Sequence, residues 1–492
     1  MLLYSALSTS HLALPLVRVR FAPSPTGFVH VGSLRTALYC YLFARHHGGV
    51  NILRIEDTDR TRYVEGAVEN VIRTMEWAGI TFDEGPIQGG PCGPYVQSER
   101  KELYAKYAAQ LVADGHAYPC FCTPERLDSV RKAQQAAGIP PMYDRLCRNL
   151  TKEEADRRIA SGEAHVIRMR VPIGELIRFN DIIRGDIEFD SKTIDDQVLL
   201  KSDGFPLYHL ANIVDDHLMQ ITHVIRGEEW LSSTPKHVLL YAAFGWEPPK
   251  FAHLPLLLNA DRSKLSKRQG DVAVEDFRDK GYLPEALINF VALLGWNPSA
   301  TEEIFTIHEL IRDFDLARVN KAGAIFGREK LDWMNAEYIR KKSPEELLPL
   351  VRPLAEDRKY VVSDEYLLTV IRAMQERVRT LPDFVDFASY FFIPPTEYEE
   401  KYKSKHWNAD AKERLTEILP RFEAAETWDH DTLEAIVRTY AEEKGLNAGK
   451  LIHPIRLAVT GRGMGPGLFE LLAVIGKAEC LRRMRSALES LV

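Results

Sequence analysis

Hydrophobic and polar positions first alternate over residues 17–21, where Val17, Val19 and Phe21 take turns with Arg18 and Arg20. A period of two predicts a strand with one buried face. Pro23, Pro25 and Gly27 end it with a stiff turn. Over residues 34–45 the period lengthens: Leu34, Ala37, Leu38, Tyr41 and Leu42 recur at helical spacing, and Gly48 and Gly49 close the helix. Ile52, Leu53 and Ile55 return to a strand. In a compact domain, strand, turn, helix and strand make a parallel βαβ crossover.

Helices are predicted over 64–78, closed by Gly79, and over 98–114, ended by Gly115; a Gly/Pro loop at 85–95 separates them. From residue 118 to about 203, short apolar pairs, turns and charged stretches alternate, which predicts an inserted module. Winding resumes at Phe205: LYHLANIV (207–214) and THVIRG (222–227) read as two buried strands. Ser233 or Thr234 with Pro235 then starts a helix that stops at Gly245. Beyond Gly270, LPEALINFVALLGW and REKLDWMNAEYIRK predict a small helical bridge. From Ser343 almost every segment is amphipathic helix, as in PEELLPLVRPLAE, DEYLLTVIRAMQERVRTL and LFELLAVIGKAECLRRMRSALESL. The expected class is α/β in the N-terminal half and all-α in the C-terminal half.

Composition narrows this only a little. A chain of 492 residues exceeds one core, so several domains are expected. A net charge of -7 argues against a non-specific DNA or RNA coat, though not against a large anion held by local basic patches. No apolar run reaches the roughly 18 residues of a membrane span, so no membrane partner is expected. Residues 1–16 lack the basic start and cleavage site of a signal peptide, and the fold is expected to begin at about Val17. The six cysteines are too scattered for a disulfide framework, which points to a reducing, cytoplasmic setting.

Two stretches carry candidate chemistry. His30, Val31, Gly32 and Ser33 sit where the first strand meets a helix N-terminus, where backbone N–H groups and the helix dipole favour an anion. Gly32 leaves room for a flat ring or a phosphate, and His30 adds a donor. The turn matches neither the dinucleotide fingerprint nor the P-loop. The second stretch, residues 261–270, carries Arg262, Lys264, Lys267 and Arg268 on a Gly-ended loop, as a clamp on polyphosphate would. Alone, the first reads as a satisfied polar turn and the second as a solvated basic loop. Together, on the first and last βα connections, they make two halves of one nucleotide site. Elsewhere Cys120, Cys122 and Cys147, with Tyr143 four residues before the last, form a candidate zinc set whose fourth ligand stays open. Three reduced thiols in a small module are an equal reading.

These residues bring a family into view. The sequence resembles the class I aminoacyl-tRNA synthetases, with His30–Ser33 standing for the His-Ile-Gly-His signature and residues 264–268 for Lys-Met-Ser-Lys-Ser. Both depart in the last position, as is usual in the glutamate and glutamine branch. FAPSPTGFVHVG, RIEDTDR, GPYVQSER, YHLANIVDDH, THVIRGEEW, KLSKR and GYLPEALINF are similar to the bacterial-type glutamyl-tRNA synthetases, from about Val17 to the C-terminus.

The resemblance implies a Rossmann-type parallel sheet over 17–117 and 204–270, with an acceptor-binding α+β module inserted at 118–203. A stem-contact region at 271–342 and an all-helical anticodon-binding region at 343–492 would follow. It implies ATP-dependent activation of L-glutamate and transfer to tRNA(Glu), by a monomer that uses ATP with Mg²⁺. His30, Lys264 and Lys267 would be catalytic; Gly32, Ser33, Glu229, Trp230 and Arg268 would complete the ATP site. Arg20, Ser24, Glu56, Tyr208, Asn212 and Arg226 would line the glutamate pocket, since a carboxylate substrate calls for guanidinium forks. Arg377 falls where discriminating members read the third anticodon base, within a helix-borne set of cations that includes Arg372, Arg379, Arg482, Arg483 and Arg485. Zinc-bearing members pair Cys-x-Cys with Cys-x-His, but Asn149 holds that last position here; some relatives use Tyr-x-x-x-Cys, which Tyr143 and Cys147 satisfy. An enzyme that also charges tRNA(Gln), or a glutaminyl-tRNA synthetase, remains the alternative.

Overall fold

The structure is a computed structural model that describes residues 16–265 and 272–491. It divides into two compact units, one of Met1–Asp276 with Ile288–Gly327 and one of Phe277–Leu287 with Arg328–Val492.

In the first unit, β1 (Arg18–Phe21), α1 (Val31–His46) and β2 (Val50–Leu53) form the predicted crossover, with β1 and β2 parallel and Arg18 opposite Val50. All of β1 is buried, not one face of it. The alternating arginines are inside because each meets a carboxylate: Arg18 pairs with Glu84 at 2.8 Å and Arg20 with Asp216 at 2.9 Å. A charge that finds a partner and hydrogen bonds can follow its strand into the core. After α2 (Ala67–Trp77) and α3 (Lys101–Ala113) comes the inserted region, with β3 (Ala117–Cys120), α4 (Pro124–Ala136), α5 (Lys152–Ala160), β4 (Val166–Met169), β5 (Leu176–Asp181), β6 (Gly185–Asp190) and β7 (Val198–Leu200). Strands β3, β4 and β7 form one antiparallel sheet. The β5–β6 hairpin instead joins the sheet of the following segment through Asp181, opposite Phe251.

That segment holds α6 (Tyr208–Leu218), β8 (His223–Gly227), α7 (Thr234–Phe244) and β9 (Lys250–Leu254), with β8 and β9 parallel. Thr222 donates its N–H to Arg18 O at 2.9 Å, which sets β8 beside β1. The stretch 207–214, expected to be a strand, is helix α6. Every residue from His209 to Asp216 is buried; the polar positions Asn212, Asp215 and Asp216 meet buried partners instead of water, so a polar face at helical spacing lies inside the protein. α7 starts with Pro235 in its first turn and ends at Gly245, whose φ is 68°. β10 (Leu257–Leu258) pairs in parallel with β11 (Ala324–Ile325).

The second unit is helical, including Pro344–Asp357, Asp364–Met374, Ala409–Ala424, His430–Glu443 and Gly449–Thr460 around one apolar core. The final run breaks into Leu468–Ile475 and Lys477–Ser490 at Gly476, which adopts φ 90°. The helix expected to carry Arg377 and Arg379 ends at Met374. Among the described residues, no helix is long and apolar enough to cross a membrane.

Candidate active site

The loop after β1, the start of α1, the end of β8 and the segment after β9 enclose two adjoining cavities at the carboxyl ends of parallel strands, where open α/β sheets bind ligands. The larger holds about 400 Å³ and is lined by His30, Gly32, Ser33, Thr36, Glu229 and Lys264, among others. The smaller holds about 290 Å³ and is lined by Arg20, Ser24, Glu56, Tyr208, Asn212, Arg226 and Trp230. Ser24, Ser33, Gly227 and Glu229 border both. The two sequence signals, distant along the chain, therefore meet in one place.

His30 caps α1, and its Nδ1 accepts the Gly32 N–H at 2.9 Å. In a neutral ring the proton then sits on Nε2. A Cβ on Gly32 would lie 3.0 Å from Nδ1, so the glycine makes room for the ring. The helix N-terminus is less open than expected, because Gly32 N–H serves His30 and Val31 N–H serves Val272 O at 2.9 Å. Thus two of the backbone donors expected to face an anion are already engaged.

Lys264 is exposed at the end of a tight turn, in which Asp261 accepts from Ser263 N at 2.8 Å. Leu265 N–H donates to Leu257 O at 2.9 Å, and Val274 N–H to Val29 O at 2.9 Å, so both described flanks of the basic loop are tied to the cavity wall. Lys267 and Arg268 lie outside the described residues.

Beneath the smaller cavity runs a buried ionic network that sequence reasoning missed. Arg20 grips Asp216 with Nε at 2.9 Å and Nη2 at 3.2 Å, and Arg54 donates to Asp216 at 2.7 Å and to Glu56 at 3.0 Å. Burial disfavours the charge on Asp216, but Arg20 and Arg54 outweigh it and hold the carboxyl below its ordinary range. Burial dominates at Glu56 and raises its pKa despite Arg54 and Arg20. Asn212 donates to Glu56 at 3.4 Å. Tyr208 packs at a tilt of 34° against Trp230, with ring centroids 4.2 Å apart, and accepts from Arg226 Nη1 at 3.1 Å. Arg54 and Asp216 both stand inside motifs quoted above, RIEDTDR and YHLANIVDDH; their value as a pair appears only when α6 is folded beside β1 and β2.

Against known families, residues 16–333 match the catalytic domain of the tRNA synthetases class I (E and Q), and residues 346–488 match an anticodon binding domain. The chain belongs to the class I tRNA synthetases of the glutamate and glutamine group. This synthetase is 52% identical to the glutamate–tRNA ligase of Chlorobium luteolum, over 97% of its own chain and 99% of the relative. It is 51% identical to that of Chloroherpeton thalassium, over 96% and 98%. Among solved structures it resembles a glutamate tRNA ligase from Elizabethkingia meningosepticum in complex with its amino acid, with a TM-score of 0.90 and 42% identity, covering 97% of this chain and 100% of that one.

In the inserted region of this synthetase, the sulfurs of Cys120, Cys122 and Cys147 lie within 4.8 Å of one another. Cys122 and Cys147 are 3.6 Å apart, and the Tyr143 hydroxyl is 3.3 Å from Cys120 and 3.4 Å from Cys122. Zinc ligands at the usual Zn–S distance of about 2.3 Å stand roughly 3.8 Å apart in a tetrahedron, so the spacing of the three sulfurs is compatible with one zinc ion.

In the helical unit Arg377 is exposed beyond the helix end, with Nε donating to Gly465 O at 3.1 Å and Nη1 to Ala373 O at 3.2 Å. Arg379 is likewise exposed, but the other cations are less available than expected. Arg372 pairs with Glu345, Arg482 with Glu479 and Arg485 with Glu423. Arg483 is buried and bonds Glu479, Tyr390 O and Val459 O, which makes it a structural residue.

Proposed function

We propose that the chain is a glutamate–tRNA ligase, which joins L-glutamate to the AMP moiety of ATP with release of pyrophosphate, and passes the glutamyl group to the 3′ end of tRNA(Glu) with release of AMP. One observation carries this reading: His30 and Lys264 line a cavity that opens into a second one, lined by Arg20 and Arg226. The larger cavity suits ATP and the smaller a dicarboxylic amino acid.

In the reaction the glutamate α-carboxylate attacks the α-phosphorus of ATP. The work of the protein is positioning and neutralising charge on the phosphates. His30 donates from Nε2 to a phosphoryl oxygen, while Lys264 and Lys267 draw charge toward the leaving pyrophosphate. Gly32, Ser33, Glu229, Trp230 and Arg268 complete the ATP site. Mg²⁺, when bound with ATP, shares the phosphate charge; Glu229 is the carboxylate among the described residues lining the larger cavity, which fits an ion held mainly by substrate phosphates. Arg20 and Arg226 receive the side-chain carboxylate, Glu56 the α-amino group, and Tyr208, Asn212 and Ser24 orient the rest. Zinc on Cys120, Cys122, Cys147 and Tyr143 would staple β3 to the turn at Leu146–Asn149. Arg377 contacts the anticodon.

The test is ATP–pyrophosphate exchange with glutamate, glutamine and aspartate, each with and without tRNA. Glutamate-dependent exchange is expected. Exchange that favours glutamine removes the substrate assignment.

A further inference from the structure

Three buried arginines stand at or under the amino-acid cavity, and they are not alike. Arg20 and Arg54 each grip carboxylates, Asp216 for the first and Asp216 with Glu56 for the second. Arg226 is also buried, but its hydrogen-bond partners among the described residues carry no charge. Nε donates to His253 Nε2 at 3.1 Å, Nη1 to Tyr208 Oη at 3.1 Å and Nη2 to Thr234 Oγ1 at 2.9 Å. His237 Nδ1 stands 3.2 Å from both Nη1 and Nη2.

A guanidinium only donates, so each imidazole nitrogen facing it must be an acceptor. That requirement sets both tautomers. His253 carries its proton on Nδ1 and gives it to Asp181 Oδ2 at 2.6 Å, in the β5–β6 hairpin. His237 carries its proton on Nε2 and gives it to His209 Nδ1 at 3.0 Å. The chain thus encloses a buried cation with neutral acceptors, and the nearest carboxylate of this relay lies behind an imidazole.

We propose that His237 and His253 are positioning residues that hold Arg226 as an uncompensated cation, and that this neutral cage makes the pocket select a carboxylate side chain over a carboxamide. This deepens the glutamate reading above and rests on it. A carboxylate entering the cavity supplies the charge that Arg226 lacks, whereas a carboxamide supplies only dipoles. An acid in place of His237 would remove the distinction from within.

The decisive variant is His237→Asp, which sets a carboxylate near the two Nη atoms. Its exchange kinetics with glutamate and with glutamine are compared with wild type in the presence of tRNA. Glutamate KM is expected to rise by about 10- to 100-fold, the worth of a hydrogen bond to a charged group, with kcat far less affected. The glutamate-to-glutamine ratio of kcat/KM falls by a similar factor. His237→Asn keeps an acceptor at the Nδ1 position and restores the ratio, which a merely space-filling histidine would not require. His253→Gln against His253→Leu repeats the comparison at Nε, and serves alone should His237→Asp fail to fold. Variants that keep the wild-type ratio, while wild type still exchanges with glutamate, overturn the proposal and leave the functional reading standing. A wild type without glutamate-dependent exchange overturns both.

Discussion

Replacing Asp216 by Asn separates the support of the pocket from its chemistry. Asp216 is 1% exposed and receives three N–H bonds, at 2.9 and 3.2 Å from Arg20 and 2.7 Å from Arg54. Asn keeps one acceptor oxygen and turns an NH₂ toward a guanidinium, leaving two cations close together and underpaired. Removing one partner of a buried ion pair costs about 3–5 kcal/mol, and the shared position of Asp216 puts it at the upper end. Because the two units need not unfold together, urea stability is best read from hydrogen exchange at β1 and α6. Arg20 also loses the fork that aims it, so glutamate KM is expected to rise at least about tenfold, one decade per 1.4 kcal/mol. The sign of the pH effect follows from the depressed pKa of Asp216. Its stabilisation is full above the unfolded-state value and is lost as pH falls through the folded one. The Asn variant therefore has a flatter acid limb. Stability within about 0.5 kcal/mol of wild type, the usual range of a surface change, would refute the assignment of this network as the support of the pocket.

The remaining expectations are more local. His30→Ala lowers kcat by about 10²–10³, the loss typical of one transition-state donor, while glutamate KM stays near wild type and stability falls by about 0.5–2 kcal/mol with the lost N-cap of α1; an unchanged kcat removes His30 from the chemistry. Metal analysis of the purified protein yields close to one zinc per chain, and Cys122→Ser lowers both zinc content and the stability of the inserted region; under about 0.2 zinc per chain ends the structural-site proposal. Glu479, whose bonds from Arg482 and Arg483 bring its pKa down to about 2, stabilises the helical unit above the unfolded carboxylate range and stops doing so as pH falls toward 2. Glu479→Gln flattens that acid limb, by an amount that solvent screening keeps small. Arg377→Ala weakens charging of tRNA(Glu) through the tRNA KM with little effect on glutamate KM; an unaltered tRNA KM excludes the anticodon contact.

Much of the site could be read directly from the chain because its elements are local. The crossover of β1, α1 and β2 follows from period, proline and glycine within about forty residues, and His30 and Gly32 sit where one element hands over to the next. Arg20 and Arg226 were recognisable as strand-end cations by position and by resemblance. The misread helix α6 shows where pattern fails: its polar positions Asn212, Asp215 and Asp216 face buried partners that come from distant parts of the chain, which an eight-residue window cannot reveal.

Local order, caps and the residue types at each turn were thus set by neighbours along the chain, where a hydrogen bond or a φ angle needs only a few residues. Pairing across long separations was not. Arg20 with Asp216 joins positions 196 apart, and His253 with Asp181 joins positions 72 apart. Only folding brings such partners into a dry interior. There a carboxylate partner, as for Arg20, aims an arginine while pairing its charge, whereas neutral partners, as for Arg226, leave the charge unpaired, because burial makes the identity of the nearest partner decisive.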